Sequence, residues 1–106
     1  MFSLRKKKKD GVGDLYQRID KKLLRYVTER DPDTYVESVI GRDSRLNVYD
    51  DVITVWSDGR EIFRGLLKGA EIGELMSLEG VSIKAVDAHT GKRRSIVAYY
   101  KYYRKV

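Results

Sequence analysis

The amino-acid sequence predicts one α+β domain: an N-terminal helix, an antiparallel meander, a short second helix and a C-terminal hairpin, forming a strongly bent sheet or small, partly open barrel. Three observations predict it. An apolar period of about 3.6 residues marks the early part of the chain, the period switches to about two from Tyr35 onward, and turn-forming residues then recur at short intervals. A length of 106 residues suits one domain with one core, over residues 14 to 106, behind a flexible basic arm at residues 1 to 13.

The arm holds Lys6, Lys7, Lys8 and Lys9 and then Gly11-Val12-Gly13, where like charges repel and no apolar period exists. Leu15, Ile19, Leu23, Tyr26 and Val27 recur at helical spacing while Arg18, Lys21, Lys22 and Arg25 take the other faces, which predicts the first helix. Asp14 is its expected N-cap, with Gln17 placed to return a hydrogen bond. Asp31-Pro32 is its expected stop, because proline has no amide hydrogen to donate. Strands are expected at Tyr35 to Ile40, Arg45 to Tyr49, Val52 to Trp56 and Arg60 to Leu66. Gly41-Arg42-Asp43-Ser44, Asp50-Asp51 and the tight-turn signal Ser57-Asp58-Gly59 separate them. A short second helix is expected over Ala70 to Leu78, with Ile72, Leu75 and Met76 along one side. Val81 to Asp87 and Arg94 to about Tyr103, joined through Ala88-His89-Thr90-Gly91-Lys92, make the closing hairpin. The expected core includes Leu46, Val48, Ile53, Val55, Ile83, Ile96 and Ala98.

Composition narrows the chemistry. The absence of cysteine removes disulfides, thiol catalysis and thiolate zinc sites, and suits a reducing cytoplasm. No run approaches the roughly 18 apolar residues of a membrane span, and Met1-Phe2-Ser3-Leu4 leads straight into charges, so neither a transmembrane segment nor a signal peptide is expected. The single histidine, His89, sits at an expected hairpin tip, without a nucleophile and orienting partner around it. The carboxylate pairs Asp31/Asp33 and Asp50/Asp51 lack the spacing of a calcium loop and read as turn formers. Gly11-Val12-Gly13 lacks the preceding strand, third glycine and lysine-serine pair of a phosphate loop. An enzyme, a metal site and a cofactor are therefore not expected.

The charge pattern points to binding instead. The net charge of +6 is split unevenly: residues 1 to 10 carry +4 and residues 31 to 60 carry −4. The last fifteen residues contain Lys92, Arg93, Arg94, Lys101, Arg104 and Lys105 and no acid. Basic ends flank an acidic middle, which steers phosphate- or carboxylate-bearing partners to the ends. Lys6, Lys7, Lys8, Lys9, Arg93, Arg94, Lys101, Arg104 and Lys105 are the candidate anion-binding residues. Tyr99, Tyr100, Tyr102 and Tyr103 interleave with the C-terminal cations and are candidates for stacking on bases, if their face of the strand is open.

The reading is a non-catalytic binding or scaffolding module for a negatively charged partner, either another protein or an assembly, including self-association of basic ends with the acidic meander. Nucleic acid, held by the basic termini and the tyrosine-rich strand, is the alternative. The lysine run also suits weak contact with an anionic membrane surface, although position 2 lacks the glycine needed for myristoylation.

Two local resemblances accompany this reading. Gly59-Arg60-Glu61-Ile62-Phe63-Arg64-Gly65-Leu66-Leu67-Lys68-Gly69-Ala70-Glu71 resembles the Sm-like RNA-binding proteins, which pair a glycine turn with an aromatic-x-glycine-x-leucine strand and an acidic residue, and which also place a helix before the sheet. Glu71 stands where they have aspartate and their closing glycine motif is missing, so no RNA-contact residue transfers. Arg45-Leu46-Asn47-Val48-Tyr49-Asp50-Asp51-Val52-Ile53-Thr54-Val55 is similar to the strand-turn-strand rhythm of pleckstrin-homology-like domains, which end in a capping helix where this chain has an expected strand.

Overall fold

A computed structural model describes residues 11 to 101. One helix, α1 (Gly11–Ile19), precedes seven strands: β1 (Leu23–Arg30), β2 (Glu37–Val48), β3 (Val52–Ser57), β4 (Arg60–Leu66), β5 (Glu71–Glu74), β6 (Gly80–Val86) and β7 (Arg93–Tyr100). All seven lie in one antiparallel sheet of order β4-β3-β2-β1-β7-β6-β5. Two meanders, β1 to β4 and β5 to β7, are thus joined where the first strand pairs with the last.

The expected arrangement of two helices around a barrel-like sheet is overturned: the described residues form a mostly antiparallel open sheet with one short helix. Three local misreadings account for this. Gly11 to Gly13 are already helical, so Asp14 lies within the first helix and does not cap it, and the helix ends at Ile19, after which Lys21 takes a left-handed φ of 66°. Beyond it, β1 presents Leu24 and Val27 to the core three residues apart, because a bulge between Leu24 and Tyr26 inserts an extra residue. A bulged strand and a helix share that spacing, so periodicity alone could not separate them.

The second error joins two expected strands into β2. Gly41 to Ser44 is not a turn: Asp43, at φ 48°, is accommodated within the strand, which stays paired with β1 on both sides of it. Gly41 faces the interior, where a Cβ would lie 2.5 Å from Ile62 Cδ1.

Third, Ala70 to Leu78 is not a helix. Glu71–Glu74 pairs with β6, bringing Ile72 opposite Ile83, and Met76 in the following turn is fully exposed. Gly73 weakens helix formation in this segment, and a turn with Leu78 at φ 63° completes the link to β6.

Other expectations agree with the structure. Asp58 and Gly59 both adopt positive φ between the paired Ser57 and Arg60, the geometry of a two-residue hairpin turn. Asp31-Pro32, expected to stop the first helix, instead follows the end of β1, eleven residues beyond the last helical residue Ile19. The Asp31 carboxylate accepts the Asp33 and Thr34 amide hydrogens at 2.8 and 3.1 Å. Leu46, Ile53, Val55, Ile83, Ile96 and Ala98 are fully buried, with Val48 packed against them. They face the side of the sheet that α1 covers through Ile19, Leu15 and Tyr16. Leu24, Val27, Phe63, Val81, Ala85 and Tyr100 complete this inner face.

The sheet curls enough for its edge strand β4 to reach Asp87, just past the end of β6, at one isolated bridge, Gly65↔Asp87. Alongside it, the Ala88 amide donates to the Arg64 carbonyl at 2.8 Å. Glycine is required there, because a Cβ on Gly65 would lie 2.9 Å from Ala85 Cβ and 2.7 Å from the Phe63 ring.

On the outer face, Thr28 is buried between Val39 and Val97 in register, and its hydroxyl has no hydrogen-bond partner among the described residues. An unpaired buried hydroxyl costs about 1 kcal/mol or more. The near-isosteric Thr28→Val substitution is therefore expected to raise stability by about 1 kcal/mol in urea denaturation; a destabilisation would mean that the hydroxyl is satisfied in solution.

Candidate functional site

Side chains alternate between faces along each strand, with the bulges resetting the alternation. Arg94, Ile96, Ala98 and Tyr100 of β7 therefore point inward, and Arg93, Ser95, Val97 and Tyr99 outward. Of the candidate residues, Lys6, Lys7, Lys8, Lys9, Tyr102, Tyr103, Arg104 and Lys105 lie outside the described residues. Arg93, Arg94, Tyr99, Tyr100 and Lys101 lie within them and have separate surroundings.

Tyr100 is part of the core, and its hydroxyl lies 3.2 Å from Glu74. Burial raises its pKa, and the neighbouring Glu74 carboxylate raises it further. It offers no free ring for stacking. Tyr99 is half-buried on the outer face, its ring 4.6 Å from that of Tyr26. Burial is also the main cause that raises the Tyr99 pKa. Arg25 lies over the Tyr26 ring at 5.5 Å.

Arg94 is structural. It donates from Nε and Nη2 to Glu29 at 2.8 and 2.7 Å, and from Nη1 to Asp87 at 2.8 Å. These hydrogen bonds raise its pKa, with Glu29 contributing most. Burial alone would raise the Asp87 pKa; the Arg94 hydrogen bond and the amides of His89 and Thr90 outweigh it and hold the carboxyl below the usual aspartate range. His89 is exposed, with Nε2 3.0 Å from Glu61, a carboxylate already held by Arg64. Among the described residues, no group of three or more His, Asp or Glu side chains is arranged to hold a metal ion.

The β-ladder builds the site, because it sets residues distant in sequence side by side. Arg42 of β2, Tyr26 of β1 and Tyr99 of β7 form one outward row. Trp56, Arg45 and Leu23 form the next. At the other end of the face, Glu37, Arg30, Ser95, Lys84 and Glu71 are successive partners across five strands. Across β2, β1, β7, β6 and β5 the outer face therefore carries six cations (Arg25, Arg30, Arg42, Arg45, Lys84 and Arg93) against three carboxylates (Glu37, Asp43 and Glu71). Arg30 pairs with Glu37 at 3.1 Å, Arg93 with Glu71 at 3.4 Å, and Lys101 at the rim with Asp43 at 3.5 Å. Arg42, Arg45 and Lys84 form no ion pair among the described residues.

One end of this face is concave. Arg30, Pro32, Tyr35, Lys84, Arg93, Arg94 and Ser95 line a cleft of about 370 Å³. Tyr35 is 73% exposed and held at φ 61° by an amide hydrogen bond to the Asp31 carbonyl at 2.8 Å. Sequence reasoning identified Arg93 and Tyr99 but missed Arg30, Arg42, Arg45, Lys84 and Tyr35. Strand alternation marks Lys84 as outward-facing, but its nearness to Arg30 follows only from the intervening β7. No helix among the described residues is long and apolar enough to cross a membrane. Comparison of the chain with protein-family models, with curated proteins and with solved structures gave no match, so the geometry of this face is what bears on function.

Proposed function

We propose that this protein is a non-catalytic binding module that docks an acidic segment of a protein partner on the outer face of its sheet, in the cytoplasm. The observation that carries the reading is the set of cations Arg42, Arg45 and Lys84, unpaired among the described residues, on a face that α1 leaves uncovered. Exposed, uncompensated charge steers an oppositely charged partner and fixes its register. The cysteine-free composition supports the cytoplasmic assignment. A protein partner is favoured over nucleic acid because Tyr26 and Tyr99 stack on one another and Tyr100 is buried. The second reading, single-stranded nucleic acid, rests on the half-buried Trp56 beside Arg45 in the register.

Fluorescence anisotropy with a labelled poly-glutamate peptide tests the proposal. Binding is expected to weaken with added salt, and the Arg42→Glu/Arg45→Glu variant to lose about tenfold or more in affinity. Binding of equal strength by that variant would overturn the proposal. Preference for a single-stranded oligonucleotide over poly-glutamate would replace it with the second reading.

A further inference from the structure

We infer that the cleft at the β1–β2 end of the outer face receives a phosphate monoester carried on a side chain of the acidic partner; this rests on reading that face as the docking surface. The argument begins with the ladder. Arg30, Ser95 and Lys84 are register partners on the adjacent strands β1, β7 and β6. Neighbouring strands lie about 4.8 Å apart, so the two cations start roughly 10 Å from each other on either side of a hydroxyl. Arg93, two residues from Ser95, brings a third cation to the same cleft. Arg94 also lines it but is committed to Glu29 and Asp87.

Three donors from three strands suit a phosphate monoester better than a carboxylate. The monoester carries a charge of about −1.5 to −2 at neutral pH and three acceptor oxygens, whereas a carboxylate offers one charge and two oxygens. The existing partners do not block it. The Arg30–Glu37 and Arg93–Glu71 pairs are exposed, and such pairs are worth about 1 kcal/mol or less. Charge-assisted hydrogen bonds to a dianion are stronger, and Lys84 has no competing ion pair among the described residues. The volume of about 370 Å³ is more than one phosphate group fills, and Tyr35 and Pro32 supply an apolar wall for the group that bears it. Glu37 and Glu71, at the two ends of the row, disfavour an anion that runs along this row and leave room for one isolated dianion between them.

The test compares glutamate-rich peptides with serine, glutamate or phosphoserine at one central position. The phosphoserine peptide is expected to bind about tenfold or more tightly than either other peptide. Its advantage should grow as pH rises through the second phosphate ionisation, near 6. Arg93→Ala is expected to remove most of this advantage while leaving the salt-dependent binding of the serine peptide in place, whereas Lys84→Ala, at a residue that also serves the docking face, is expected to weaken the phosphoserine peptide more than the serine peptide. Equal affinity of all three peptides would overturn the inference and leave the docking face standing. Free O-phosphoserine, followed by amide chemical shifts, is an arm independent of that face: shifts centred on Lys84, Arg93 and Ser95 support the cleft, and their absence overturns it. Tighter binding of AMP than of phosphoserine in the same assay would overturn the side-chain origin of the phosphate.

Discussion

The Arg94→Met variant is expected to lose about 3 kcal/mol of stability, because it leaves two carboxylates without the cation that compensates them. Asp87 is only 5% exposed at its side chain, and Glu29 and Arg94 are themselves mostly covered, at 28% and 22%. Methionine replaces the length of arginine but none of its donors, so repulsion between the carboxylates is exposed along with the lost hydrogen bonds. The loss corresponds to a fall in melting temperature on the order of 10–20 °C for a chain of this size. Urea denaturation at neutral pH measures it. A change under about 1 kcal/mol would show that solvent compensates the pair.

The same network predicts an acid limb. The pKa of Asp87 is depressed in the folded protein, so its contribution is fully present above the unfolded-state value of about 4 and is lost as pH falls through the lower folded value. The wild-type protein should therefore lose stability below about pH 4 more steeply than Arg94→Met, whose Asp87 keeps only the His89 and Thr90 amide hydrogen bonds.

The second large effect is expected at Phe63, which is 2% exposed. Its ring fills the space where β4 approaches Ala85 beside Gly65, and Arg94 lies 5.1 Å above it. Phe63→Ala is expected to cost about 4 kcal/mol, as aromatic-to-alanine changes in well-packed cores do. Phe63→Leu should recover most of the loss. Calorimetry of the two variants checks this, and a loss under about 1 kcal/mol in Phe63→Ala would mean that β4 packs independently of the far end of the sheet. Because Phe63 and Arg94 are in contact, the double variant should lose less than the sum of the single variants.

These effects show where local signals sufficed. The Asp58-Gly59 turn needs two positive φ values, and few residue pairs accept them as readily, so the β3–β4 hairpin was legible from two letters. Ile53, Val55, Ile83, Ile96 and Ala98 alternate cleanly with outward residues and were legible as core. Leu24 and Val27 were not, because their three-residue separation is a helical spacing produced by a bulge, and the bulge exists only where β1 meets β7. Glu71 to Glu74 became a strand because β6 offered a ladder, which a sequence window containing Gly73 does not reveal.

The same division runs through the site. The sequence by itself determined that thiol chemistry and thiolate metal sites are excluded, that cations cluster beside aromatics in the last strand, and that Tyr99 and Tyr100 take opposite faces of it. Only the tertiary structure decided that Arg94 is spent on Glu29 and Asp87, that Tyr100 is buried, and that Arg30 and Lys84 flank Ser95. The physical reason is range. Turn preference and alternation act over a few neighbouring residues, whereas the cleft depends on strand register between segments 54 residues apart, from Arg30 to Lys84, which is set by the packing of the whole inner face.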